Sequence, residues 1–154
     1  MMNRERSMHL IDIENQLGTG RVTAVAASAF FDNYKATVGL GEADQVVVAV
    51  SSIEALLELP LSSMRHCRLL CTLGHDGADK ALQGVMWDEG LPGRFSTVIC
   101  ASGDGGFVKA VAHLTAQGTR VIAVALSRSI AKTMRMAAHE TIELSSDYPE
   151  MDVA

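Results

Sequence analysis

Acidic side chains gather at a few points of this chain where apolar runs give out. Asp12, Glu14 and Asn15 close the run Met8–Ile13, and His75, Asp76 and Asp79 follow the run His66–Leu73. Ser102 and Asp104 follow Thr97–Ala101, and Ser127 and Arg128 follow Arg120–Ala125. Most have an ordinary use open to them. Asp104, in Ser102-Gly103-Asp104-Gly105-Gly106, is placed to cap a helix. Asp76 could be the N-cap of a helix and Asp79 could sit in its first turn, where a negative charge is favoured. Asn15 could form a turn before Gly18. Asp12 is different, because it interrupts an apolar strand, and a buried unpaired carboxylate is expensive. Carboxylates brought together repel, and at least one pKa rises unless a cation compensates. Mg²⁺ or Mn²⁺ would remove that conflict, since each takes oxygen ligands and leaves part of its shell to water or phosphate. Such an ion activates water and stabilises charge on a phosphate. Asp12, Asp79 and Asp104 suit its ligation, and Asn15 suits orienting a phosphate oxygen or a water.

The surrounding pattern says how these residues could meet. Strand-like runs lie at Met8–Ile13, Asp44–Val50, His66–Leu73, Thr97–Ala101 and Arg120–Ala125, with a weaker sixth at Thr141–Leu144. Several are nearly continuous Val, Ile and Leu, as expected of strands covered on both faces. Helical patterns fill the gaps at Thr23–Thr37, Ser52–Glu58, Ala78–Glu89, Gly106–Gln117 and Ser129–Ala138, with Gly118 as a C-terminal stop. Pro92-Gly93 marks a turn before the fourth strand. Alternating strands and helices predict a mainly parallel sheet of five or six strands in a Rossmann-like, three-layer α/β/α sandwich. Ligands of such sheets bind beyond the carboxyl ends of the strands, which is where the acidic residues fall.

Composition narrows the field. The 154 residues are 48% hydrophobic and 20% charged, which suits one globular domain spanning 1–154, with a core over 8–144 and an acidic tail over 145–154. A net charge of -5 argues against a generally basic nucleic-acid binder. No apolar stretch approaches the roughly 18 residues of a membrane span, and none resembles a secretory leader. The three cysteines, Cys67, Cys71 and Cys100, lie in apolar runs without a Cys-x-x-Cys pair, as reduced core thiols of a cytoplasmic protein would. The five histidines lack zinc spacing, though His75 lies near the acidic residues. A Gly-x-Gly-x-x-Gly reading from Gly103 fails at Val108, and no Gly-Lys-Ser/Thr phosphate loop exists.

Three blocks carry a resemblance. LIDIENQLG, DGADKAL and VICASGDGGFVKAVAHLTAQGTRVIAVAL resemble the signature segments of the NYN domain, a branch of the PIN-like nucleases, and SRSIAKTMRMAAHETIEL resembles that family's closing helix and strand. The likeness spans roughly residues 8 to 144 in the correct order. It implies a PIN-like fold and metal-dependent cleavage of RNA, with the family's acidic positions at Asp12, Asp79 and Asp104 and its asparagine at Asn15. One position departs. The family usually has a second acid two residues after the Ser-Gly-Asp aspartate, and here Gly106 stands there. That weakens one metal position, for which Asp76 or Glu14 could substitute, with Ser102 as a further auxiliary residue. It also leaves a second reading open, a catalytically impaired module that binds RNA or a protein partner. An apolar helix face could also support a homodimer.

For RNA contact, Arg128, Lys132 and Arg135 are spaced to form one basic stripe if all three lie on a helix, and Lys80 adjoins Asp79. Aromatic residues make up only 5% of the chain, so a broad base-stacking platform is not expected. Phosphate contacts alone would give weak sequence preference.

Overall fold

The computed structural model describes residues 5–145. Six parallel strands form one sheet: β1 (Ser7–Asp12), β2 (Gln45–Val50), β3 (Arg68–Cys71), β4 (Thr97–Ala101), β5 (Arg120–Leu126) and β6 (Glu140–Leu144). Their order across the sheet is β3-β2-β1-β4-β5-β6. The chain therefore winds outward from β1 in one direction and from β4 in the other. The carboxyl ends of these two neighbours flank the point where the winding reverses, the usual crevice of an open α/β sheet.

Both faces of the sheet are covered, which explains why the strands read as unbroken apolar runs. On β1, Met8 and Leu10 join the core beneath α4 (Gly77–Asp88), α5 (Val108–Ala116) and α6 (Lys132–Ala137). Ile11 joins the opposite core with Phe30, Phe31 and Tyr34 of α2 (Ala24–Thr37) and Ala55 of α3 (Ile53–Glu58). The alternation is the two-residue period of a strand. Side-chain caps start α2 and α3: Thr23 accepts the Ala26 N–H at 3.1 Å and Ser52 accepts the Ala55 N–H at 3.2 Å, whereas Asp76 stands at the N-cap of α4 without a side-chain cap bond. Gly118, at φ +87°, turns the chain out of α5. The three-layer α/β/α sandwich read from the sequence is thus the fold, with all six strands parallel. Among the described residues no helix is long and apolar enough to cross a membrane.

Three expected elements differ. The run Met8–Ile13 does not end as a strand and loop: a short helix, α1 (Ile13–Leu17), begins at once after Asp12, which is its N-cap. The helix expected over Ser129–Ala138 is broken. Ser127–Ser129 forms a 3₁₀ turn, Ile130 and Ala131 are extended, and α6 starts only at Lys132. The cause is a tertiary contact. The Ala131 N–H donates to the Gly103 carbonyl at 2.8 Å, and a Cβ on Gly103 would lie 2.0 Å from the Ser129 carbonyl oxygen. Backbone packed this closely against the loop after β4 cannot stay helical. The third strand is also shorter than expected, because His66 and Cys67 belong to the turn that enters it. The proposed acidic tail lies outside the described residues beyond Ser145.

Candidate active-site cleft

Asp12 ends β1 and is 6% exposed. Its Oδ1 accepts the Asn15 N–H at 3.3 Å, so the side chain that interrupts the apolar strand also starts α1. Asp104 follows β4 and does the same for a 3₁₀ turn, Gly105–Phe107: its Oδ1 accepts the Gly106 N–H at 2.9 Å. Asp79 comes from the first turn of α4, the crossover from β3 to β4. Its Oδ1 accepts a hydrogen bond from Gln83 Nε2, one turn further along the helix. The three carboxylates share a pattern. Each commits Oδ1 to a bond inside the protein, and among the described residues Oδ2 of each makes none.

The approach of α4 depends on a compressed turn. Gly74 has φ +101° and Asp76 has φ +59°, the latter a left-handed conformation that a non-glycine residue adopts at a cost. Gly77 has no substitute, since a Cβ there would lie 1.7 Å from the Thr72 carbonyl oxygen. This turn brings the N-terminus of α4 against the sheet rim. Asp79 then joins Asp12, Glu14, Asn15, Ser51, His75, Asp76, Ala78 and Asp104 in lining a cleft of about 240 Å³. The sheet edge expected to collect the acidic residues does collect them.

The charges feel one another. The Asp12 carboxyl is pushed up from 3.8 to about 6, chiefly by burial, with the negative charges of Glu14, Asp79 and Asp104 adding to the rise and the Asn15 N–H opposing it. Asp79 is also raised, chiefly by burial and then by Asp104 and Asp76; the Gln83 bond and Lys80 oppose the rise. A cation in the cleft would relieve both. Among the described residues no three His, Cys, Asp or Glu side chains form a ready-made metal cage. The donors are all hard oxygens of mutually repelling acids, which fits a small divalent ion that keeps several waters in its shell.

The other expected site residues divide. Glu14 is already used: its Oε1 accepts the Ser51 hydroxyl at 2.6 Å and its Oε2 the Ser51 N–H at 3.0 Å, tying α1 to the end of β2. Asp76 is exposed at the cleft margin, where His75 lies 3.3 Å from it. Ser102 is fully buried and accepts the Asp104 N–H at 3.2 Å, so it shapes the loop from behind. Lys80 is exposed beside Asp79. The basic stripe does not form on one helix. Arg128 sits on the 3₁₀ turn and Lys132 opens α6, both exposed, while Arg135 is paired with Glu143 at 3.0 Å and donates to the Ser127 carbonyl at 3.2 Å.

Gly106 lies at the cleft. A Cβ added there would stand 3.0 Å from Asp79 Oδ2 and 3.4 Å from Asp104 Oδ1. A side chain at this position would therefore press on the very carboxylates that line the site, and glycine brings no acid of its own to them. Sequence reasoning missed three contributors. Gln83 was detectable, being four residues after Asp79 on a helix, where Gln–Asp pairs meet. Ser51 had no local signal, and neither had Gln16 of α1, which is buried behind Asn15 and donates to the Val124 carbonyl of β5 at 3.1 Å. A hydrogen-bonded trio on the other rim was missed as well: buried His9 meets the buried Tyr34 hydroxyl at 2.6 Å and the half-buried Asp44 at 2.8 Å.

Comparison with known proteins bears on this arrangement. The family model of the NYN domain matches residues 8–145. A crystal structure of a protein of unknown function from Vibrio parahaemolyticus superposes with a TM-score of 0.67 at 16% identity, covering 96% of this chain and 98% of that one. At that identity the likeness speaks to the fold alone. No curated protein matches.

Proposed function

This chain belongs to the NYN domain family, whose fold is that of the PIN-like nucleases, and from that premise we propose that it is a divalent-metal-dependent ribonuclease that hydrolyses RNA phosphodiester bonds within the strand. The observation that carries the reading is the common pattern of Asp12, Asp79 and Asp104. These come from three distant parts of the chain, share one cleft at the reversal point of the sheet, and each keep one carboxylate oxygen unbonded among the described residues. Those three residues would hold Mg²⁺ or Mn²⁺, which when bound would lower the pKa of water and offset charge on the phosphate. The protein's own part is placement. Asp12 and Asp104 are fixed by the turns they cap, and Gln83 fixes Asp79. Asn15, on the cleft wall, offers polar contact to the phosphate. Lys80, Arg128 and Lys132 are exposed cations suited to the neighbouring phosphates, whereas Arg135 is committed to Glu143. Among the described residues no Phe, Tyr or Trp lines the cleft, so base identity would be read weakly.

The test is cleavage of labelled RNA by the purified protein in Mn²⁺ or Mg²⁺, stopped by EDTA, with Asp12→Asn reducing it at least a hundredfold. Asp12→Asn cleaving as well as the parent would overturn the assignment. Gly106 supports a second reading, a catalytically impaired NYN-fold module that binds RNA or a protein partner, because a glycine beside Asp79 and Asp104 supplies no carboxylate to the site. That reading expects RNA or protein binding with no hydrolysis in either metal.

A further inference from the structure

Gln16 is a polar residue in a place that packing alone would give to an apolar one. It lies on α1, is 2% exposed, and donates from Nε2 to the Val124 carbonyl of β5 at 3.1 Å. Its Oε1 is buried and has no partner among the described residues. An unsatisfied buried acceptor is costly, and methionine or leucine would fill the same volume without it. Turning the amide over would not help, since Oε1 would then oppose the Val124 carbonyl oxygen.

The second contact of Nε2 gives the amide a use. It reaches Asn15 Oδ1 at 3.5 Å, and the same oxygen accepts the Gly103 N–H at 3.2 Å. A carboxamide oxygen has two lone pairs. With two donors on Oδ1, the Asn15 side chain keeps only its Nδ2 hydrogens for the cleft. It can then serve an acceptor but not ligate a cation.

Resting on the ribonuclease reading above, we propose that Gln16 is a positioning residue: from its anchor on β5 it locks the Asn15 amide with its oxygen inward, so that Nδ2 donates to a nonbridging oxygen of the bound RNA phosphate. The lock ties the segments after two strands to a third strand, since Asn15 follows β1, Gly103 follows β4 and Val124 belongs to β5.

The experiment measures affinity for a short labelled RNA in Ca²⁺, by anisotropy, for the full chain and for Asn15→Ala, Gln16→Met and the double variant. Losing one hydrogen bond to a charged oxygen weakens binding roughly tenfold or more. Asn15→Ala is expected to show that loss. Gln16→Met, which preserves volume, is expected to reproduce most of it, and the double variant to bind no worse than Asn15→Ala alone. RNA with a neutral methylphosphonate at the bound linkage should erase the differences. Unchanged affinity in Gln16→Met, or losses that add in the double variant, would overturn the proposal. A second readout needs no Gln16 variant: in ¹⁵N-labelled parent protein, the side-chain amide signals of Asn15, identified by their loss in Asn15→Asp, should shift when RNA is added. Absence of that shift in protein that does bind RNA would count equally against the role of Gln16. If the parent neither binds nor cleaves RNA, the ribonuclease reading itself falls; if it binds and the variants match it, only the role of Gln16 does.

Discussion

Replacing Asp12 by Asn should make the metal-free protein more stable at neutral pH. The carboxyl is 6% exposed and its pKa rises from 3.8 to about 6, with burial as the first cause and three neighbouring acids adding to it. Because the folded pKa lies above the unfolded one, the folded state binds the proton more tightly between pH 3.8 and about 6. Stability is therefore lost as pH rises through that window, and the penalty is complete above it. A displacement of this size corresponds to about 3 kcal/mol at pH 7. Asparagine keeps the shape and caps a helix as well as aspartate, so the bond to the Asn15 N–H need not be lost. Urea unfolding of parent and Asp12→Asn in EDTA, from pH 4 to 8, isolates the effect in the difference between the two curves. His9, whose pKa is lowered by burial and which therefore destabilises the fold as pH falls, cancels in that difference. The expected result is a gap near zero at pH 4 that opens by about 2–3 kcal/mol in favour of Asp12→Asn by pH 7. Mn²⁺ should then close or reverse it, since only the parent gains ligand-linked stability in full. A gap that is flat with pH, or an asparagine variant that is less stable throughout in EDTA, would refute the electrostatic reasoning.

Other perturbations test the positioning of the site. Gly77→Ala sets a methyl 1.7 Å from the Thr72 carbonyl oxygen, so the turn entering α4 must shift; stability should fall by about 1–3 kcal/mol by urea midpoint and RNA cleavage should fall with it. Gln83→Ala frees Asp79 to rotate, and kcat is expected to drop roughly tenfold while the melting temperature stays within a few degrees. Lys132→Ala and Arg128→Ala should each weaken RNA binding and lower the salt slope by about 1, while Arg135→Ala, already paired with Glu143, should change it less; equal effects from all three would contradict the arrangement. Gly106→Asp adds an acid whose Cβ stands 3.0 Å from Asp79 Oδ2, and calorimetry should find Mn²⁺ bound more tightly than by the parent.

Where each feature could be read in the sequence follows its physical range. The strands announced themselves because both faces are buried, so Val46–Val50 and Val121–Ala125 carry little but apolar residues. Asp12 stood out for the complementary reason, as a charge that burial alone would reject. Its double duty as helix cap did not, because Ile13 reads as one more strand residue and only the backbone shows that α1 has begun. The break before α6 had no local sign: it depends on Gly103, some thirty residues earlier, pressing on Ser129. Arg135 likewise looked free until β6 brought Glu143 beside it. Contacts within one helical turn, such as Asp79 with Gln83, were legible in principle; contacts between strand ends, such as Glu14 with Ser51 and Asn15 with Gly103, required the fold.

The central claim concerns a cation shared by side chains from β1, α4 and the loop after β4. Anomalous diffraction from a crystal of the parent protein soaked in Mn²⁺ tests it most directly. The expected result is a peak within coordination distance of Oδ2 of Asp12, Asp79 or Asp104, bridging at least two of them, and lost in Asp12→Asn. Full soaking with no peak in this cleft, or a peak held by other residues, would contradict it.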